Sequence, residues 1–293
     1  MARTAAGLET ISGVSLKTVD MSMRLISRAT LWAAEAADVF KPLSNRVISF
    51  IQSFVAVILT PGEIDAYTKQ FYDQDPSPYA DRAWIDSGLT NSEKDVILKY
   101  AGQRGSVLVI GCGGGREAIA LVRMGFHVIG IDSSEKMVRK AKGYAAREYE
   151  KIEILKGDFL EMTLPEANYD YCLLSCFMYS LIPTRARRVA FLKKIRAISG
   201  GRGIAILHFI SQFGGGQERL FQLRKAVARV FKGNMSYQRG DVFYPPWHFF
   251  HKFLDEQEII GEAREAGFIV KEIMKDTYYY KGAYAVLQKS LRQ

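Results

Sequence analysis

The chain has 293 residues, of which 48% are hydrophobic and 12% aromatic, and it carries a net charge of +9. This length accommodates one large globular domain with an extension, and the apolar and aromatic content argues against a disordered protein. Cys112, Cys172 and Cys176 are too few and too irregularly spaced for a disulfide framework or a zinc site. We therefore expect a cytoplasmic protein in a reducing environment.

Positive charge is concentrated in residues 181–240, which contain 13 lysines and arginines against a single acid, Glu218. This segment carries +12, so that the rest of the chain sums to −3. A solvated basic face and a surface for an anionic partner both explain such a run. The apolar run at residues 47–59 is shorter than the ~20 residues that a membrane span requires. It predicts a buried helix or, together with the basic segment, peripheral association of residues 1–59 with a membrane surface.

The first 90 residues are predicted to form a helical extension or cap in front of the main domain, which would occupy residues 91–293. Residues 15–59 mix apolar and charged positions as a helix does. Thr60, Pro61 and Glu63 then mark a helix start, since threonine caps, proline suits the first turn and glutamate completes a capping box. A second capping box, Thr90 with Glu93, predicts the next helix.

From residue 106 the predicted strands alternate with helices. We expect strands at 106–110, 126–131, 152–155, 169–175, 203–210, 268–274 and 283–288, and helices at 116–124, 135–148, 184–199, 218–231 and 257–266. This order predicts a doubly wound α/β fold with a mostly parallel sheet covered by helices on both faces. The stretch at about 211–253 interrupts the order. Its aromatic part, which includes His248 and His251, is either an acceptor-pocket wall or a packed insertion.

The strongest motif is a buried strand that runs into Gly111-Cys112-Gly113-Gly114-Gly115 and is followed by a helix. Glycines at such a turn let the backbone approach a ligand, and the helix N-terminus presents free N–H groups. Unliganded turns and nucleotide-binding turns share this pattern. Asp132 ends the next strand about 20 residues later, where an acid can accept hydrogen bonds from ribose hydroxyls. Together these features indicate an adenosine ligand.

Further motifs separate the adenosine-binding families. Gly157-Asp158-Phe159 follows the third strand, Asn168-Tyr169-Asp170-Tyr171 opens the fourth, and an Ala-Gly-Phe element lies at residues 266–268. In this order and spacing the chain resembles the class I (Rossmann-like) S-adenosylmethionine-dependent methyltransferase family, from about residue 94 to 289. The resemblance implies a seven-stranded sheet, S-adenosyl-L-methionine as the cofactor and transfer of its methyl group. Val109 departs from the family pattern, which often has an acid there.

The resemblance also assigns roles to residues. Glycine-turn residues would line the methionine part of the cofactor, an acid with its neighbours would hold the ribose, a second acid would meet the adenine amino group, and the end of the fourth strand would border the methyl. The implied cofactor-binding residues are, in that order, Gly111, Cys112, Gly113 and Gly115; Asp132, Ser133 and Met137; Asp158 and Phe159; and Ser175 and Phe177.

His208 is the first candidate for a catalytic base, because it lies near the carboxyl end of a strand, where ligands of doubly wound sheets bind. A strand-end core histidine is the alternative. The expected acceptor is a small molecule or a lipid-like metabolite, since aromatic side chains in an insertion suit an apolar or planar ligand. Three other interpretations stay open: a nucleic-acid methyltransferase, a cofactor-binding partner protein without activity, and a dehydrogenase.

Overall fold

The computed structural model describes residues 52, 54–74, 79–102, 104–146, 152–164, 168–214, 220–244 and 248–290. The strands in these ranges are β1 (Ser106–Ile110), β2 (His127–Asp132), β3 (Ile152–Lys156), β4 (Tyr169–Leu174), β5 (Ser199–Ser211), β6 (Asp241–Tyr244), β7 (His248–Phe253), β8 (Phe268–Lys275) and β9 (Gly282–Lys289). The helices are α1 (Pro61–Gln74), α2 (Arg82–Asp86), α3 (Asn91–Tyr100), α4 (Arg116–Arg123), α5 (Glu135–Ala145), α6 (Arg185–Ile198), α7 (Phe221–Val230) and α8 (Glu256–Glu265), with a 3-10 turn at Met178–Leu181. Of the helix predicted over residues 15–59, most lies outside the described residues, and positions 54–58 are helical.

The central sheet has the strand order β3-β2-β1-β4-β5-β9-β8. The first five strands are parallel, β9 runs antiparallel to β5, and β8 runs antiparallel to β9. Strand β1 buries alternate side chains on opposite faces: Leu108 and Ile110 belong to one apolar cluster, Val107 and Val109 to the other. The predicted doubly wound α/β fold is therefore confirmed, and the carboxyl ends of β1 to β4 meet at one edge.

Both predicted capping boxes are present. The Glu63 backbone N–H donates to Thr60 Oγ1 at 3.3 Å, while Glu63 Oε2 accepts from the Thr60 N–H at 2.9 Å. Thr90 and Glu93 form the same pair of bonds, at 3.2 and 2.7 Å, at the start of α3. Because these bonds involve residues three apart, the sequence alone locates the two helix starts.

The start of β5 differs from the prediction. Residues 200–202, which separate the predicted helix at 184–199 from the predicted strand at 203–210, are extended and belong to β5. Tyr169 pairs with Ser199 and Tyr171 with Ile204, so that the ladder skips the glycine-rich residues in a bulge. Glycine permits this local bend without ending the strand.

The insertion forms a β-hairpin that the sequence pattern does not reveal. Strands β6 and β7 pair antiparallel, and β7 joins the carboxyl end of β5 through Ile210 opposite Lys252. The hairpin packs with α1, α7 and residues 55–59 around one apolar cluster: Val55, Ala56, Val57, Leu59, Ile64, Ala228, Tyr237, Phe243 and Phe249. We call residues 54–74, α7, the loop at residues 231–240 and the β6–β7 hairpin the cap.

Candidate active site

A cavity of about 1200 Å³, counted to its open mouth, lies at the carboxyl ends of β1 to β4. Ligands of doubly wound sheets bind at this edge. One side, the strand-end wall, consists of residues that follow these strands: Gly111, Cys112, Gly113, Gly114, Asp132, Ser133, Gly157, Asp158, Phe159, Leu160 and Cys176. The opposite side, the helical wall, comes from α1, from α2 and from Tyr79, which lies three residues before α2. Its residues are Asp65, Thr68, Lys69, Tyr72, Tyr79 and Trp84.

The glycine turn lines the cavity with backbone. Gly111, Gly113 and Gly115 have φ values of +71°, +52° and +96°, in the left-handed region that favours glycine. A Cβ on Gly111 would also meet the flexible end of the Met178 side chain, which would have to move. Gly111 and Gly113 face the cavity, whereas Gly115 precedes α4 and packs against Ala141.

Asp132 holds this turn in place from the end of β2. Its Oδ2 accepts the N–H of Gly113 and its Oδ1 that of Ser134, both at 2.8 Å. Burial raises the pKa of Asp132 to about 6, although these two hydrogen bonds lower it. Ser133 and Met137 line the cavity beside it. Each carboxylate oxygen keeps acceptor capacity for a ligand hydroxyl, since an ionised carboxylate has about four lone-pair sites.

Asp158 lies at the end of β3 and pairs across the cavity with α1. Lys69 Nζ is 2.9 Å from Asp158 Oδ2 and 3.1 Å from Asp65 Oδ2. Asp158 Oδ1 accepts the Leu160 backbone N–H at 2.9 Å. The neighbouring Phe159 packs its ring 4.5 Å from that of Phe191. The second predicted acid is thus bonded to both walls.

A buried ionic cluster lies behind the glycine turn. Arg116 Nη2 is 2.6 Å from both Glu93 Oε1 and Glu117 Oε1, and the Arg116 guanidinium lies 4.5 Å from the centre of the Trp84 ring. Ser175 Oγ lies 2.6 Å from both carboxylates. Burial opposes ionisation of Glu117, but Arg116 and the other hydrogen bonds lower its pKa. The cluster ties α3, α4 and the end of β4 together, and its Arg116 and Glu117 also line the cavity.

Part of the chain matches the model of a known protein family. Residues 107–201 match the family model of the methyltransferase domain. This segment holds the glycine turn, both acids and the fourth strand. Over this segment the predicted methyltransferase family is confirmed.

Curated relatives of the domain differ in what they methylate. The chain is 33% identical over 79 residues to a sterol 24-C-methyltransferase of Pneumocystis carinii, covering 25% of this chain and 21% of the relative. It is 27% identical over 111 residues to the putative methyltransferase YqeM of Bacillus subtilis, covering 38% and 44%. The chain thus spans less than half the length of these relatives.

Solved structures share the fold over most of the chain. A 1,6-didemethyltoxoflavin-N1-methyltransferase of Burkholderia thailandensis, with its acceptor and S-adenosylhomocysteine bound, aligns with a TM-score of 0.57 at 16% identity, covering 79% of this chain and 91% of that one. A magnesium protoporphyrin IX methyltransferase of Synechocystis PCC 6803 aligns with a TM-score of 0.51 at 18% identity, covering 77% and 100%. At these identities the likeness establishes the fold of the methyltransferase domain.

Eight of the eleven predicted cofactor residues of the methyltransferase domain line the cavity: Gly111, Cys112, Gly113, Asp132, Ser133, Met137, Asp158 and Phe159. Gly115, Ser175 and Phe177 do not belong to its lining. Phe177 stacks on His208 with ring centres 4.3 Å apart, and its backbone N–H donates to His208 Nδ1 at 3.2 Å. Their binding roles stay predictions.

His208, the predicted base, is completely buried and does not line the cavity. Its ring stacks on Tyr284 at 4.3 Å, and its Nε2 lies 3.0 Å from Asp276 Oδ2. Phe177 covers the imidazole on the side of the fourth strand. The position corresponds to the strand-end core histidine that the sequence left as the alternative, and the catalytic role stays a prediction.

The sequence did not single out Lys69, Trp84 or Arg116 as site residues, although all three line the cavity. Lys69 and Trp84 lie before the recognisable motifs, on helices whose position depends on tertiary packing. Arg116 directly follows the glycine turn and was detectable only as the first residue of a helix. Tyr72 and Tyr79, which precede the predicted main domain, also line the cavity, with ring centres 5.9 Å apart.

The aromatic insertion packs rather than facing the cavity in its described part. Phe249 and His251 of β7 are completely buried, and His248 lies 4.8 Å from the ring of Phe71. Burial lowers the pKa of His248 to about 4. Residues 245–247, which would form the rest of the predicted aromatic wall, lie outside the described residues.

Proposed function

We propose that the protein transfers a methyl group from S-adenosylmethionine to an apolar small-molecule or lipid-like acceptor. The observation that carries the proposal is the cavity, where the glycine turn, Asp132 and Asp158 meet at one sheet edge. Its lining combines the glycine turn and these two acids with the rings of Tyr72, Tyr79 and Trp84. This supports a site that holds a cofactor and an acceptor together.

The residues of the cavity fit this cofactor. The backbone at Gly111 and Gly113 is open to a methionyl group, Asp132 presents acceptors to ribose hydroxyls, and Asp158 presents acceptors to an adenine amino group. Bound S-adenosylmethionine supplies an electrophilic methyl group on a sulfonium. The chain's own contribution is alignment: both walls position the acceptor atom in line with the methyl carbon and exclude water.

The apolar acceptor class rests on the rings and aliphatic groups that complete the cavity. Tyr72, Tyr79 and Trp84 line the helical wall, and Leu181 and Ile182 also line the cavity. These side chains suit a planar or lipid-like molecule better than a strongly charged one. The sterol and toxoflavin enzymes among the comparisons act on acceptors of this kind by name.

Calorimetry tests the cofactor first. We expect S-adenosylmethionine and S-adenosylhomocysteine to bind with one site per chain and NAD to give no heat. Binding of NAD alone would reject the proposal. Methyl transfer is then tested with S-adenosylmethionine labelled on its methyl group and a panel of sterols, quinones and planar heterocycles. Binding without transfer to any extracted metabolite would favour a cofactor-binding partner protein.

As a partner we propose an anionic membrane surface, contacted through α7 and the loop after it. Half of the large exposed apolar side chains of the described residues lie in this region: Leu220, Leu223, Val230 and Met235. Basic side chains accompany them: Lys225, Arg229, Lys232 and Arg239. Apolar insertion and attraction to anionic lipid add in free energy. No helix among the described residues is long and apolar enough to cross a bilayer.

Vesicle flotation tests this partner. The full chain should float with phosphatidylcholine–phosphatidylserine vesicles at low salt, and less with phosphatidylcholine alone. The double variant Leu223→Ser, Val230→Ser should stay in solution, whereas Leu98→Ser, which changes an exposed leucine on α3, should float like the wild type. A wild-type protein that remains in solution at low salt would reject the membrane surface. Of residues 1–59, which the sequence also predicts to contact the membrane, positions 1–51 and 53 lie outside the described ranges.

A further inference from the structure

Lys69 and Asp158 form an ion pair inside the cavity, away from the glycine turn. Their side chains belong to opposite walls, are 39% and 17% exposed, and approach to 2.9 Å. Asp65, one turn earlier on α1, holds Lys69 from the other side at 3.1 Å, and Arg187 of α6 lies 3.5 Å from the same Asp65 oxygen. The ammonium is therefore fixed between two carboxylates that line the cavity.

Hydrogen-bonding capacity remains on both partners. An ammonium has three N–H donors, and Asp65 and Asp158 accept two from Lys69. Asp158 accepts from Lys69 on one oxygen and from the Leu160 N–H on the other, which leaves lone pairs on both. A donor and an acceptor thus lie 2.9 Å apart, and both residues line the cavity.

Adenine presents the complementary pattern. Its N6 amino group is a donor, and the ring nitrogens on either side of it are acceptors; proteins read this edge with one donor and one acceptor held together. We propose, on the basis of the proposed function, that Lys69 and Asp158 read this edge jointly: Asp158 accepts from the amino group and Lys69 donates to an adjacent ring nitrogen. Lys69 is then a specificity-determining residue supplied from outside the matched methyltransferase segment.

Both partners are charged at neutral pH. Burial raises the pKa of Asp158, but the hydrogen bond from Lys69 and the other contacts outweigh burial and lower the pKa below its usual value. Burial lowers the pKa of Lys69, and the hydrogen bond to Asp158 with the nearby carboxylates more than compensates, so its pKa is raised. The donor and the acceptor therefore keep their roles over the working range of the site.

The test compares Lys69→Met with the wild type in calorimetric titrations of S-adenosylhomocysteine and its 1-deaza and 7-deaza analogues. Each analogue lacks one ring nitrogen beside the amino group. We expect Lys69→Met to weaken S-adenosylhomocysteine binding about tenfold, the effect of one hydrogen bond to a charged donor. One analogue lacks the ring nitrogen that accepts from Lys69. The wild type should bind this analogue about tenfold more weakly than S-adenosylhomocysteine, and Lys69→Met should bind it no more weakly than the wild type does. Lys69→Arg should recover part of the affinity.

Lys99→Met is the matched control, because Lys99 also pairs with a carboxylate, Glu272, but does not line the cavity. It should bind all three ligands like the wild type. Unchanged affinity in Lys69→Met, equal losses for both analogues and the parent, or a gain in affinity would overturn the inference; a gain would show that Lys69 competes with adenine for Asp158. A wild type that binds none of the ligands would instead reject the proposed function.

Discussion

The two walls of the cavity are held in place by different interactions. The strand-end wall depends on backbone: Asp132 accepts two main-chain N–H groups, and the Gly111 N–H donates to the Ile131 carbonyl at 2.8 Å. The helical wall depends on side chains, among them the half-exposed Lys69 and the rings of Tyr72 and Tyr79. Each such side-chain contact contributes little by itself. The helical wall should therefore open more readily than the strand-end wall.

The cap behind the helical wall compensates with buried polar contacts to the sheet domain. Arg188 of α6 donates to Gln238 of the cap at 2.9 Å and to Glu262 of α8 at 2.7 Å. His251 of β7 lies between Asp241 and Glu258, at 2.7 and 3.2 Å. The comparison indicates that the cofactor half of the site is locally built, whereas the acceptor half depends on long-range contacts. Four predictions test this difference between the two parts of the site.

The largest effect is expected from Arg188→Met. Arg188 and Glu262 are both buried, and removing the guanidinium leaves the carboxylate without its counterion. We expect a loss of about 3–5 kcal/mol in the free energy of unfolding, measured with urea. Arg185→Met on the same helix breaks the pair with Glu265, in which both side chains are about half exposed, and should cost about 0–1 kcal/mol. Similar losses in the two variants would contradict the cap's dependence on the buried pair.

A smaller effect is expected where the helical wall meets the glycine turn. A Cβ on Gly114 would lie 2.7 Å from Ile85 Cδ1 and 2.8 Å from the Tyr79 carbonyl oxygen. Gly114→Ala should therefore displace this wall, cost about 1–3 kcal/mol in stability and weaken cofactor binding. Gly143→Ala, in α5 with no atom near the new methyl, should instead stabilise by about 0.5–1 kcal/mol. If both glycine variants have wild-type stability, the close contact at Gly114 has no energetic role.

Most of the strand-end wall was predictable from the sequence. The glycine turn, Asp132 and Asp158 follow buried strands directly, so the strand pattern places them at one edge. The capping boxes at Thr60 and Thr90 are equally local. In each case the bonds or the chain direction that fix the residue lie within a few positions of it.

The helical wall and the cap were not predictable in the same way. Lys69 reaches Asp158 across 89 residues, and Arg188 reaches Glu262 across 74. The β6–β7 hairpin is specified by packing against α1 and residues 55–59 rather than by its own pattern. His208 was placed correctly at a strand end, but its burial depends on Phe177 and Tyr284, which stack on it.

The third prediction concerns the pH dependence of cofactor binding. The raised pKa of Asp132, about 6, means that its carboxyl takes up a proton below pH 6 and then no longer accepts two ribose hydrogen bonds. The affinity should be constant above pH 6 and fall by up to about tenfold per pH unit below it. Asp132→Asn should bind more weakly at pH 8 and lose this dependence. An unchanged pH profile in Asp132→Asn would place the titrating group elsewhere.

The smallest effect is expected at His251, which joins the cap to α8. Burial and Arg188 lower its pKa, but the hydrogen bonds with Asp241 and Glu258 outweigh them, so the pKa in the folded protein is raised. A raised histidine pKa contributes stability that is fully present below the unfolded pKa of about 6.5 and is lost as the pH rises through the folded value. The loss is modest, because the neutral ring keeps its bond to Asp241 and gives up only the contact with the partly exposed Glu258, which is worth about 0.2–1 kcal/mol.

Urea unfolding from pH 5.5 to 8.5 tests this contribution. The free energies of unfolding of the wild type and of His251→Gln should differ by an amount that shrinks as the pH rises. His127→Gln, at an exposed position on β2, should show no such trend, and a difference at His251 that grows with pH would mean that the ring is neutral in the folded cap.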